Sequence, residues 1–225
     1  MEIRQLTPIL GAEVIGVDLS KSLNDADFNV IHEAFVRHSV LIFRKQNLSP
    51  QDMIDFSLRF GPLMTHVLKE SLLQGYPEIY KLSNRLKNGK PDGRAYAGQY
   101  WHSDLTYEPQ PSLGSLLYGI EVPAIGGDTL FASTAHAYAS LSPIMRNMLE
   151  GLTAEHLFAH AFRGSQNRPV KDKDAFEERP AVTHPVVRTH SDSGRKTLFI
   201  NEGFTVKINE LNTVENKFLL KFYST

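Results

Sequence analysis

The sequence predicts a mostly-β protein with flanking helices, built as a double-stranded β-helix, or jelly roll. Three observations point there. The middle and the end of the chain carry many short runs of strand composition, punctuated by Gly, Pro and Asn. Helix signals are few, well marked, and set toward the edges of that strand-rich part. The composition, 41% hydrophobic and 22% charged over 225 residues, is that of an ordinary globular chain of one or two domains.

Each element has a local signal. Asn24 or Asp25 can cap a helix whose apolar face is Phe28, Ile31 and Phe35. Val40-Leu41-Ile42-Phe43 reads as a buried strand. Ser49-Pro50 places an N-cap before a Pro at the first helical position. Leu48 and Met53 are spaced as a hydrophobic staple, Met53, Phe56 and Phe60 make the buried face, and Gly61 ends that helix. Strand composition follows at residues 79–82, 99–107, 113–122 and 129–131, with a Gly- and charge-rich loop over 88–98. Ser142-Pro143 starts another helix, and Gly151 follows it. Residues 163–180 are polar, charge-dense and too long for a simple connection, which predicts a lid or a disordered insert. Residues 181–188 and 196–201 are expected to flank a turn at 191–194 as a hairpin. Asn212, with Glu215 three positions on, caps a last helix with Val214, Phe218, Leu219 and Phe222 as its apolar face.

Composition also excludes functions. With 24 basic and 25 acidic residues the formal net charge is −1, so no basic excess favours nucleic acid or an anionic membrane surface. There is no cysteine, which rules out disulfides, thiolate catalysis and Cys-based metal sites. The N-terminus lacks the apolar core of a signal peptide, and no run reaches the length of a membrane span. A cytoplasmic protein is the expectation.

The chemistry-bearing motif is His102-Ser103-Asp104. On a strand, residues two apart share a face, so an imidazole and a carboxylate would converge. They would form two parts of the 2-His-1-carboxylate triad that holds a non-haem Fe(II). The spacing alone is weak evidence, because nine His and 25 acidic residues supply about one such pair by chance. His190-Ser191-Asp192 is a second copy, but it runs into Ser193-Gly194, a turn signal. The first copy lies among Tyr100, Trp101, Leu105 and Tyr107, which favour strands. The other histidines, His32, His38, His136, His156, His160 and His184, have no ligand spacing and read as structural or surface residues.

Ordered segments around that motif carry more weight. They are Arg37-His38-Ser39-Val40-Leu41-Ile42-Phe43-Arg44, Phe60-Gly61-Pro62-Leu63, Trp101-His102-Ser103-Asp104 and Gly126-Gly127-Asp128-Thr129-Leu130. After them come Leu152-Thr153-Ala154-Glu155-His156, His184-Pro185-Val186-Val187-Arg188-Thr189-His190 and Phe199-Ile200-Asn201-Glu202-Gly203-Phe204-Thr205. Together they resemble the taurine dioxygenase / 2,4-dichlorophenoxyacetate dioxygenase (TauD/TfdA) family of Fe(II)- and 2-oxoglutarate-dependent oxygenases.

The resemblance implies a single oxygenase domain over residues 1–225, with Fe(II) as cofactor and 2-oxoglutarate and O₂ as co-substrates. It implies His102 and Asp104 as iron ligands and Thr129 as a donor to a carboxylate of 2-oxoglutarate. His66, Asn84 and Phe204 fall where family members meet substrate. Lys69 stands where taurine dioxygenase has Tyr, matches the phenoxyacetate branch, and could pair with an anionic group. The implied reaction hydroxylates a small organic acid or sulfonate and releases succinate and CO₂. The family's second iron-binding His, its 2-oxoglutarate Arg and its closing strands lie beyond the point matched by Thr225, so the jelly roll is expected to be incomplete at the C-terminus and the activity of the chain by itself to be weak. Two other readings stay open at this stage: a catalytically dead jelly-roll binding or scaffold module, and a different metal-dependent barrel enzyme. A homo-oligomer is compatible with either.

Overall fold

The computed structural model describes residues 1–95, 97–162 and 179–223. Most of the segment expected as a lid, residues 163–178, lies outside the described residues. The described chain is made of short strands with some helices, and it divides into two units. Among the described residues no helix is long and apolar enough to cross a membrane.

The first unit comprises Met1–Leu63, Gly114–Ser140 and Thr189–Thr197. Its sheet pairs β1 (Glu2–Gln5) antiparallel with β2 (Ala12–Ile15), and β2 parallel with β3 (Leu41–Ile42). Helix α1 (Asp25–His38) starts at Asn24, whose side chain accepts the N–H of Asp27, and stops at Ser39 in a left-handed conformation. Helix α2 (Pro50–Leu58) carries a full capping box, because Ser49 accepts from the N–H of Asp52 while Asp52 accepts from the N–H of Ser49. The two helices bury Phe28, Ile31 and Phe56 against Val14 and Leu19. Phe60 meets Phe28 and Phe56 edge-on, with centroids 5.0 and 5.5 Å away. A third helix, α3 (Thr134–Ser140), had no reading from the sequence; the hydroxyl of Ser133 accepts the N–H of His136 at its start.

The second unit comprises Met64–Leu113, Leu141–Arg188 and Leu198–Thr225. It holds the hairpin β4 (Leu72–Leu73) with β5 (Tyr76–Tyr80), and the small hairpin β6 (Leu86–Lys87) with β7 (Lys90–Pro91). Helix α4 (Pro143–Leu149) is capped by Ser142. Strand β8 (Thr153–His156) lies between β9 (Val182–Pro185) and β12 (Thr205–Ile208), antiparallel to both. Strands β10 (Val187–Thr189) and β11 (Lys196–Leu198) flank the turn expected at 191–194. Helix α5 (Thr213–Tyr223) is capped by Asn212, which accepts from Val214 and Glu215. The unit's core is Val67, Leu68, Tyr107, Phe158, Phe162 and Phe204.

Several strand expectations are corrected. Residues 99–107 form no strand; they run as irregular chain into a turn. Residues 113–122 and 129–131 form none either, and Ile120, Val122 and Leu130 are largely exposed there. Strand composition states a preference, but a strand exists only when a neighbour supplies the hydrogen-bond ladder. Conversely, the loop expected over 88–98 contains the turn of a hairpin. Asn88 and Gly89 both take positive φ, 53° and 75°, as a tight hairpin turn requires.

Ile31 is fully buried where α1 meets the core of the first unit. Ile31→Ala is expected to cost about 2–5 kcal/mol, read as a lowered midpoint in urea denaturation.

Candidate metal centre

Six of the expected site residues, His66, Lys69, Asn84, His102, Asp104 and Phe204, fall in the second unit. His102 and Asp104 meet. The Nε2 of His102 stands 3.2 Å from Oδ1 of Asp104. They converge without a strand, because the chain turns directly after Asp104: Leu105 has φ 56° and the N–H of Glu108 donates to the carbonyl of Leu105 at 2.9 Å. On the other side of the ring, Nδ1 lies 2.9 Å from the carbonyl oxygen of Tyr100. That oxygen can only accept, so in the neutral ring Nδ1 holds the proton and Nε2 keeps its lone pair.

This arrangement fits a metal ion. A metal-binding His commonly donates its second ring N–H to a backbone carbonyl, which fixes tautomer and orientation. Two donors at about 2.1 Å from one ion, at right angles, stand about 3 Å apart, close to the separation seen here. Without a metal the same carboxylate, by its hydrogen bond, raises the pKa of His102, with burial opposing. Metal and proton therefore compete for one nitrogen. Among the described residues no cluster of three His, Asp or Glu is poised for a metal, so the described centre offers two protein donors.

Packing holds the pair in place. Tyr100 and Phe204 approach His102, with centroids at 5.2 and 6.0 Å, and Phe204 meets Tyr107 edge-on at 4.8 Å. Phe204 is thus both a core residue and a wall beside the imidazole. Gly203 donates its N–H to the carbonyl of Trp101 at 3.3 Å, and a Cβ there would stand 2.3 Å from Cε2 of Tyr100. The approach of the two segments therefore needs a residue without a side chain.

His66 stacks on Tyr80 with centroids 4.0 Å apart, and its Nδ1 accepts the N–H of Leu68 at 3.1 Å. Burial pushes its pKa down to about 4; Asp104 opposes the shift, and Arg179 and Arg94 add to it. At neutral pH the ring is uncharged, and its remaining N–H, on Nε2, is a donor. Lys69 is exposed and opens a single turn over Lys69–Ser71, and Asn84 is exposed in a loop. Thr129 belongs to the first unit, exposed and outside any strand, after Gly126 and Gly127 with φ 78° and 75°. The second His-x-Asp, at His190, sits in the hairpin turn as expected, with Gly194 donating to the carbonyl of His190. Sequence reasoning missed the Glu108–Arg179 ion pair and the part played by Tyr100, which meets His102 with both its ring and its carbonyl.

Comparison with known proteins decides the family. Residues 2–224 match the model described as "Taurine catabolism dioxygenase TauD, TfdA family". The chain belongs to the TauD/TfdA family. It is 35% identical over 207 residues to an alpha-ketoglutarate-dependent 2,4-dichlorophenoxyacetate dioxygenase of Cupriavidus pinatubonensis, covering 87% of this chain and 71% of that one. It is 31% identical over 235 residues to an alpha-ketoglutarate-dependent sulfonate dioxygenase of Saccharomyces cerevisiae, covering 99% of this chain but 54% of the relative, so it spans about half of that protein. A crystal structure of a taurine dioxygenase from Burkholderia xenovorans superposes with a TM-score of 0.80 at 29% identity, covering 98% of this chain and 70% of that chain. TauD/TfdA members are 2-oxoglutarate-dependent dioxygenases, so the chain belongs to a family of enzymes that use that co-substrate and a metal.

Two outcomes follow from this geometry. Gly203→Ala is expected to displace Tyr100 and His102 and to weaken Mn(II) binding by about tenfold, measured by EPR titration. The second concerns pH. The folded pKa of His66 lies below its ordinary value, so the unfolded state takes up the proton first. The stability contributed by neutral His66 is complete above pH 6.5 and is lost as pH falls toward about 4. Urea midpoints across that window should fall less steeply for His66→Phe, which keeps the stacking on Tyr80 and removes the titration.

Proposed function

We propose that this chain forms the metal-bearing part of an Fe(II)- and 2-oxoglutarate-dependent dioxygenase, on a jelly-roll core, that hydroxylates a small organic acid or sulfonate. The observation that carries the reading is the His102/Asp104 donor pair, with Nδ1 of the imidazole held by the carbonyl of Tyr100. When bound, Fe(II) and 2-oxoglutarate would supply the oxidising chemistry, with O₂ consumed and succinate and CO₂ released alongside the hydroxylated product.

The chain's own residues orient and screen. His102 and Asp104 hold the metal. Thr129 is the proposed donor to a carboxylate of 2-oxoglutarate, following the family resemblance. Tyr100 and Phe204 approach the imidazole, and Tyr107 packs against Phe204. His66 presents a neutral N–H donor, suited to an anionic oxygen without the cost of burying a charge. The charge of Asp104 reaches His66 and is opposed by those of Arg179 and Arg94, the first of which is paired with Glu108. Lys69 and Asn84 are the proposed exposed contacts. An anionic substrate agrees with the relatives, whose names include dioxygenases of a phenoxyacetate and of sulfonates and an alkylsulfatase. One observation favours a second reading: with two donors among the described residues, His102 and Asp104 can persist as an ion pair without metal, as in a binding module.

The test is an anaerobic titration with Fe(II) and 2-oxoglutarate, on protein carrying whatever its gene encodes beyond Thr225. The iron–keto-acid pair gives a visible charge-transfer band, expected in the wild type and absent in Asp104→Ala. No band in the wild type favours the binding module; wild-type 2-oxoglutarate turnover by Asp104→Ala removes Asp104 from the metal.

A further inference from the structure

Beneath the turn that follows Asp104 lie two buried histidines that the chemistry above does not use. His156, on β8, is fully buried, and its Nδ1 is 3.2 Å from Oγ1 of Thr106. His184, on β9, places Nε2 3.0 Å from the carbonyl oxygen of Glu108. The two rings meet edge to face at 5.4 Å, and Phe199 packs on both, at 5.6 and 5.2 Å. Thr106 is 1% exposed and also accepts from Nδ2 of Asn201 at 3.3 Å. Asn201 in turn accepts the N–H of Phe204 at 2.8 Å, so the same network reaches the wall beside His102.

The turn needs such support. Leu105 has φ 56°, a conformation that a branched aliphatic residue keeps only where its surroundings over-determine it. Leu105 packs on the core, Thr106 is held from one side by His156 and from another by Asn201, and the carbonyl of Glu108 is held by His184. Asp104 is half exposed, and its main chain passes directly into this turn. The backbone that carries its carboxylate is therefore held through Thr106 and Glu108.

We propose that His156 and His184 are positioning residues for the metal pair: by gripping Thr106 and Glu108 they fix the turn that sets the Asp104 carboxylate beside Nε2 of His102. The proposal rests on the reading of His102 and Asp104 as metal ligands. Burial lowers the pKa of both histidines, His156 to about 4 with the neighbouring His184 adding to the shift. Both are therefore neutral near pH 7. With Thr106 already accepting from Asn201, its hydroxyl proton is available to the lone pair on Nδ1 of His156.

The experiment measures Mn(II) affinity by EPR, with thermal midpoints alongside, in the protein used for the titration above. Thr106→Val and His156→Leu are each expected to weaken Mn(II) binding about tenfold or more, while Thr106→Ser, which restores the hydroxyl, binds near wild type. The double variant should bind no more weakly than the worse single one, since each change removes the same hydrogen bond. His184→Leu should weaken binding through the separate bond to Glu108. A lowered midpoint with wild-type Mn(II) affinity in folded Thr106→Val and His156→Leu would overturn the proposal. If His156→Leu does not fold, Thr106→Val against Thr106→Ser decides. Asp104→Ala separates the two readings. Undiminished Mn(II) binding in that variant removes the metal site itself; loss there, with affinity kept in the clamp variants, removes only the clamp.

Discussion

The centre depends on the curvature of the backbone that carries an imidazole and a carboxylate two residues apart. Here that curvature ends in Leu105, with φ 56°, and the chain closes back through the bond from Glu108 to Leu105. The rest of the centre depends on it. Extended chain would also put His102 and Asp104 on one face, but side chains two apart along a strand stand roughly parallel, about 6–7 Å apart at their bases. The turn brings Oδ1 and Nε2 to 3.2 Å.

The turn is affordable because its surroundings are apolar and well packed. Leu105 and Tyr107 belong to the core that holds Phe158, Phe162 and Phe204. Such burial excludes charge. His66 and His156 are both pushed down to about 4 and stay neutral at ordinary pH. His102 differs, because Asp104 raises its pKa. One environment thus yields two kinds of histidine: neutral rings that donate or accept hydrogen bonds, and one ring tied to a carboxylate where a metal can replace the proton. Glycine completes the packing at Gly203, where any side chain would strike Tyr100.

The helices were legible in the sequence because their signals are local. Asn24, Ser49, Ser142 and Asn212 all cap as read, and Ser49 with Asp52 forms a capping box within four residues. The strands were less legible, since a strand is completed by a partner that local composition does not name. Residues 113–122 have strand composition and no strand, while Asn88-Gly89 signalled a hairpin inside what read as a loop. Residues 99–107 read as a strand from their aromatics; Tyr107 is instead buried as a core residue following a turn.

The residues alone set the chemistry available: no thiols, one His-x-Asp in strong context, and an ordered set of segments that placed the chain in the TauD/TfdA family. How His102 and Asp104 meet is a matter of folding, as is the placing of His156 and His184, fifty and more residues downstream, under the turn that follows Asp104. Hydrogen bonds between distant segments depend on where β8 and β9 settle against that turn, and no pattern within a short window of sequence encodes that.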